Sequence, residues 1–189
     1  MHPTVHAKTQ PDRAAYIMAA SGEVVTYRQL DERSNQAAHL FRALGLTSGD
    51  VVAVCMDNNP RFFEVVWAAQ RSGLYYACIS SKLSAGEIDY IVRDCGARAM
   101  VVSPGLGAAA HHLPGVLPDS VSLFMTDLPA EGYTSWEAAR DGHPTTSVPG
   151  ETAGGSILYS SGTTGKPKGI KRPLTGGSIL DNQTVHFKL

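Results

Sequence analysis

No run of apolar residues approaches the eighteen or so that a membrane-crossing helix needs. Met1 to Lys8 also lacks the apolar core of a signal peptide. Cysteine is scarce. Cys55, Cys78 and Cys95 are odd in number and widely spaced, which excludes a disulfide scaffold. Each lies in or beside an apolar segment, so the expectation is buried free thiols in a reducing cytoplasm. No Cys/His pair has zinc-ligand spacing, and His111-His112 stand together without further ligands, as solvated loop residues do. An excess of one charge is missing too. Sixteen basic and seventeen acidic residues leave a net charge of −1, which argues against a nucleic-acid-binding surface.

What is present is 43% apolar residues over 189 positions, enough for one domain with a core. Tyr16-Ile17-Met18 and Val24-Val25 flank a Gly-containing turn and read as a hairpin. Thr26 is placed to cap a helix whose Leu30, Ala37, Leu40, Phe41 and Leu44 share a face, with Arg28, Asp31, Glu32 and Arg33 on its wet side and Gly45 as its stop. Val51 to Met56 is a continuous apolar run, the mark of a strand buried on both faces. Asn59-Pro60 reads as N-cap and first residue of a helix with Phe62, Phe63, Val66, Trp67 and Ala69 as its apolar face. A second strand covers Leu74 to Ile79. Ser84 and Glu87 form a capping box for a helix stopped by Gly96, and a third strand covers Ala99 to Val102. Strands alternating with helices at this spacing predict an α/β fold, a parallel-rich sheet with flanking helices.

After the third strand, Gly105-Leu106-Gly107-Ala108-Ala109-Ala110 outlines a dinucleotide fingerprint, with Asp127 about twenty residues on behind a candidate strand, Val121 to Met125. The fit is poor. Ser103-Pro104 separates the strand from the glycines, and the pattern follows the third strand rather than the first. Residues 103–118 hold three prolines and read as a loose connector. Thr134 and Glu137 bracket a short helix over 136–140, and Asp141 to Gly155 reads as an exposed linker. The expected organisation is an α/β unit over 1–140, a linker over 141–155, and over 156–189 a strand, a glycine-rich loop and the start of a further, truncated unit.

That loop carries the chemistry. Ser156-Ile157-Leu158-Tyr159 leads into Ser160-Ser161-Gly162-Thr163-Thr164-Gly165-Lys166-Pro167-Lys168-Gly169. Glycines let backbone N–H groups approach a ligand. Hydroxyls rotate to suit an acceptor, and two ammonium groups close the loop. Convergent N–H, hydroxyl and ammonium donors suit a phosphate chain. Lys171 and Arg172 extend the basic site. The commoner phosphate cradle, Gly, four residues, Gly, Lys, then Ser or Thr, fails at both ends, because position 160 is Ser and position 167 is Pro.

Tyr159 to Gly169 resembles the phosphate-loop signature of the adenylate-forming enzymes, with Ser160 where Thr is usual. The resemblance extends to Thr26–Leu30, Asn59–Ala69, Arg71–Gly73 and Leu83–Ile91, and Lys168–Pro173 resembles the acyl-CoA synthetase and fatty-acid–CoA ligase branch. It implies an ATP-dependent acid–thiol ligase acting in fatty acid and lipid metabolism. The carboxylate of a fatty acid would attack ATP, with Mg²⁺ on the phosphates, and the acyl-adenylate would pass to coenzyme A. The implied phosphate-binding residues are Ser160, Ser161, Gly162, Thr163, Thr164, Gly165, Lys166 and Lys168. Nothing in the chain matches the family's later motifs, so the resemblance implies an incomplete N-terminal domain of the adenylate-forming fold. It would hold no catalytic residue and no protein metal ligand, be inactive alone, and self-associate as a homodimer through an uncovered sheet. A dinucleotide-binding oxidoreductase domain and a non-catalytic dimerising module are the alternatives.

Overall fold

The computed structural model describes residues 2–160 and 166–180. Helix α1 (Pro3–Thr9) opens the chain, and strands β1 (Ala14–Ile17) and β2 (Val24–Thr26) form the expected antiparallel hairpin. Helix α2 (Tyr27–Ala43) starts at Thr26, whose side chain accepts the Gln29 N–H while the Gln29 side chain returns to the Thr26 N–H. This reciprocal cap satisfies two helix-end donors. Gly45, at φ 77°, turns the chain out of the helix, a backbone angle that favours glycine.

Strands β3 (Val51–Met56), β4 (Tyr75–Ser80) and β5 (Ala97–Val102) run parallel, joined by helices α3 (Phe62–Arg71) and α4 (Ala85–Cys95). Strand β6 (Ser122–Met125) adds to β5, and the two-residue β7 (Thr134–Ser135) adds to β6. On the other side β8 (Gly155–Ser160) pairs parallel with β4, and β9 (Lys168–Lys171) folds back antiparallel on β8. The sheet order is β7-β6-β5-β3-β4-β8-β9. Every residue of β3 is buried, as its unbroken apolar run requires. Alternate residues feed two cores. Val51, Ala53 and Cys55 meet Ile88, Ile91 and Val92 of α4. Val52, Val54 and Met56 meet Leu40 and Phe41 of α2, Val65 and Ala68 of α3, and Trp136. The architecture is a parallel-rich sheet between two layers of helices.

Several expectations fail locally, each for a physical reason. Helix α3 begins at Phe62, not Pro60. The Asn59 carbonyl oxygen of the side chain accepts the Arg61 N–H at 2.8 Å and is used in the turn before the helix. Phe63 is exposed, whereas Glu64 and Arg71 are fully buried. The inward face of α3 is thus partly ionic. Glu64 is held by Arg140, by Arg33 at 3.2 Å and by Arg61 at 3.5 Å. Arg71 holds Asp31 and Thr4, each at 2.6 Å. Asp31 and Arg33 therefore leave the wet side of α2 assigned to them.

Residues 103–118 are no loose connector. A short 3₁₀ turn at Pro104–Leu106 leads into helix α5 (Ala108–Val116), which contains Pro114. The last helix, α6 (Trp136–Asp141), is capped by Ser135, whose Oγ accepts the Ala138 N–H, rather than by Thr134. Cys55 is buried and its thiol pushed up to about 12 by that burial. Cys78 is exposed, because it falls on the outward alternation of β4. Residues 141–155 expose most side chains, yet Val148 is buried. The side chains of Asn35, Gln36 and His39 on α2 meet carbonyls of Thr145, His143 and Thr146.

Candidate functional site

The glycine-rich segment leaves the sheet from β8, at the carboxyl ends of the parallel strands, where α/β sheets gather ligands. Ser160 closes β8 directly opposite Lys168, the first residue of β9. Lys166, Lys168 and Ser160 are exposed at this end, as are Lys171 and Arg172 further along. Ser161, Gly162, Thr163, Thr164 and Gly165 lie outside the described residues.

Helix α4 holds the base of the hairpin at two points. The Tyr90 hydroxyl donates to the Pro167 carbonyl at 3.2 Å, and the Lys166 Nζ stands 5.1 Å from the centre of the Tyr90 ring. One turn on, Asp94 Oδ2 accepts the Tyr159 hydroxyl at 2.6 Å. Burial of the Tyr159 phenol, followed by this bond to a carboxylate, raises it above the usual tyrosine range, so it remains a donor. The same ring explains Gly169: a Cβ there would lie 3.0 Å from the Tyr159 Cζ and hydroxyl and 3.3 Å from Ile157. Lys171 lies 4.2 Å over the Tyr75 ring, and the Tyr75 hydroxyl reaches the Arg172 carbonyl at 2.6 Å. The hairpin thus turns one face to α4 and leaves the other, with Leu158 paired to Ile170, exposed. Tyr90 and Asp94, four residues apart, share a helical face. That spacing was readable in the sequence, but the partner it serves was not.

These described groups present cations around a turn, a setting for an anionic chain. Among the described residues no three His, Cys, Asp or Glu side chains converge as a metal site. Asp94, the carboxylate nearest the hairpin base by these contacts, is occupied by Tyr159. The described lysine ammonium groups and the Ser160 hydroxyl are donors of the kind that suits phosphate oxygens.

The other glycine motif has a different use. A Cβ on Gly105 would collide with the Asp57 carboxylate, which accepts the Ser103 hydroxyl at 2.5 Å. Its glycine makes room for a side chain of the fold. A groove of about 560 Å³ lies between Tyr16–Ala20, Met56–Asn59 and Phe62–Phe63, and no residue of β8 or β9 lines it.

The family model described as "AMP-binding enzyme" matches residues 4–185. The chain belongs to the AMP-binding enzymes. It is 29% identical over 168 residues to the fatty acid–[acyl-carrier-protein] ligase ScoC of Streptomyces coeruleorubidus, covering 87% of this chain and 31% of that one. It is 32% identical over 165 residues to surfactin synthase subunit 2 of Bacillus subtilis, covering 87% of this chain and 4% of the relative. Among solved structures it resembles the anthranilate CoA ligase AuaEII in complex with anthranoyl-AMP, with a TM-score of 0.72 and 27% identity over 89% of this chain and 34% of that one. The chain therefore spans about a third or less of these AMP-binding relatives. Its mixed α/β sheet with flanking helices is the fold they share. Among the described residues no helix is long and apolar enough to cross a membrane.

Proposed function

We propose that this chain is the amino-terminal part of an ATP-dependent fatty-acid or acyl-CoA ligase, and that the segment between β8 and β9 grips the β- and γ-phosphates of ATP. The observation that carries this reading is the position of Ser160, Lys166 and Lys168 at one end of the sheet, flanking a segment of Gly, Ser and Thr. Ser161, Thr163 and Thr164 supply hydroxyls in this reading, and Gly162 and Gly165 supply backbone N–H groups. Lys166 and Lys168 balance the charge on the departing pyrophosphate. Such fixed donors stabilise charge as it develops.

A carboxylate oxygen of the fatty acid attacks the α-phosphorus, and the bond to the pyrophosphate oxygen breaks. The thiol of coenzyme A then attacks the acyl carbon, its proton is lost to solvent or base, and AMP leaves. The relative ScoC is named for ligation to an acyl-carrier protein; for this chain the proposed acceptor is coenzyme A. Mg²⁺ would enter bound to the phosphate oxygens and would offset their charge. We also propose the division into 1–140, 141–155 and 156–189, on the composition of the middle segment, and a cytoplasmic location.

The test is carboxylate-dependent ATP–pyrophosphate exchange, measured on a protein extended through its reading frame to the length of its relatives. Exchange is expected there, and none above background in the 189-residue chain. Replacing Thr163, Thr164 and Lys168 together by Ala should abolish it. Undiminished exchange in that triple variant contradicts the phosphate reading.

A further inference from the structure

We propose that Tyr90 is a positioning residue of the phosphate hairpin, acting through Lys166. The inference rests on the phosphate reading above and adds to it a residue outside the glycine-rich segment. Tyr90 lies on α4, seventy-six positions before the lysine it faces. Its ring and its hydroxyl do separate things. The hydroxyl donates to the Pro167 carbonyl at 3.2 Å and fixes the backbone next to Lys166. The ring face receives the Lys166 ammonium, with Nζ 5.1 Å from the ring centre, inside the range at which a cation is attracted to the ring. Asp94 ties the opposite arm of the hairpin to the same helix through Tyr159, so both arms of the hairpin are bonded to the helix that carries the ring.

A free lysine side chain has many rotamers, and ordering it on a ligand costs conformational entropy. Seated on Tyr90, part of that ordering precedes binding. An ammonium has three N–H donors and no acceptor. The ring occupies one side of it and leaves N–H groups on the other sides for phosphate oxygens. The seat therefore lowers the entropy cost of the Lys166 contact without competing for it. Tyr90→Leu removes the seat. Tyr90→Phe keeps the ring and loses only the tie to Pro167.

Two measurements on the 189-residue chain test this. The first is the NMR shift of the Lys166 ε-CH₂ protons. Ring current should move them upfield in the wild-type chain and in Tyr90→Phe, and Tyr90→Leu should return them to the values of a free lysine. Unshifted protons in the wild-type chain overturn the seat. The second is a double-mutant cycle of inorganic pyrophosphate affinity across Tyr90→Leu and Lys166→Ala. Tyr90→Leu should weaken binding roughly two- to fivefold when Lys166 is present, the strength of an exposed cation–ring contact, and have no further effect once Lys166 is Ala. Tyr90→Phe should restore most of the loss. Equal losses in both backgrounds mean that Tyr90 serves the fold alone and overturn the inference. Binding without the Lys166 shift refutes only the seat. No pyrophosphate binding by any of the chains refutes the phosphate reading and the role of the seat with it.

Discussion

His2 shows how strongly single side chains are conditioned by this fold. Its imidazole is buried edge-on against Trp67, with ring centres 4.7 Å apart, and its Nδ1 accepts the Thr4 N–H at 3.3 Å. Burial, and after it the Arg71 guanidinium, push its pKa down to about 3. A group depressed from 6.5 binds fewer protons in the folded chain than in the unfolded one. Its stabilising contribution is complete above about pH 6.5 and is lost as pH falls from there toward 3, at up to about 1.4 kcal/mol per pH unit. Urea unfolding at a series of pH values should show this slope in the wild-type chain and a flatter one in His2→Gln. Identical slopes would mean that the imidazole is not buried neutral. None of this was legible in the sequence. His2 belongs to a terminal stretch without periodicity, and its neighbours Arg71 and Trp67 come from α3, more than sixty positions away.

At the scale of elements, the caps of α2 and α4 were legible, and those before α3 and α6 were not. Thr26 with Gln29 and Ser84 with Glu87 each carry both halves of the cap, and both helices begin where expected. Asn59 stood alone as a capping type and Thr134 stood with Glu137 three positions on, and in each case the neighbouring chain decided otherwise. Asn59 serves a turn, and Ser135 stands one position closer to its helix. Glu87 is exposed, and the Ser84 hydroxyl and N–H hold its carboxyl below the usual range. This cap matters beyond its helix, because α4 carries both Tyr90 and Asp94. Ser84→Ala should cost about 1 kcal/mol and lower the melting temperature by roughly 2–4 °C. The same variant should loosen the hairpin base, read as faster amide exchange at Lys168 and Ile170. An unchanged melting temperature would show that packing on Ile88, Ile91 and Val92 alone fixes the start of α4.

For the whole molecule, the layer order was readable because β3 to β5 alternate with two strongly periodic helices. What lay beyond reach was the return of β8 to the edge of β4, since a pairing over some eighty positions leaves no local pattern. The glycine-rich site was legible as a string of donor types, and its dependence on α4 was not. The β8–β9 hairpin also bears on the expected self-association. Lys168 and Lys171 put charge along the outer strand, a feature that discourages strand-to-strand addition. Leu158 and Ile170 form an exposed apolar pair on the uncovered face, each at 54% exposure. We therefore expect homodimers that meet through this face. Sedimentation should show a concentration-dependent monomer–dimer equilibrium, shifted toward monomer by at least tenfold in Leu158→Lys. A single monomer species over the whole range, or a variant that dimerises as the parent does, would contradict this.

The central claim is that the turn between β8 and β9 is built for a phosphate chain. Its most direct test is an NMR titration of the 189-residue chain with inorganic pyrophosphate, following the amides of Ser160, Lys166, Lys168 and Gly169. The account predicts saturable shifts centred on these residues, and affinity at least tenfold weaker in the Lys166→Ala/Lys168→Ala variant, since each hydrogen bond from a charged donor contributes roughly 1.5–3 kcal/mol. Shifts centred on Gly105 to Ala110 instead, or equal affinity in the variant, would contradict it.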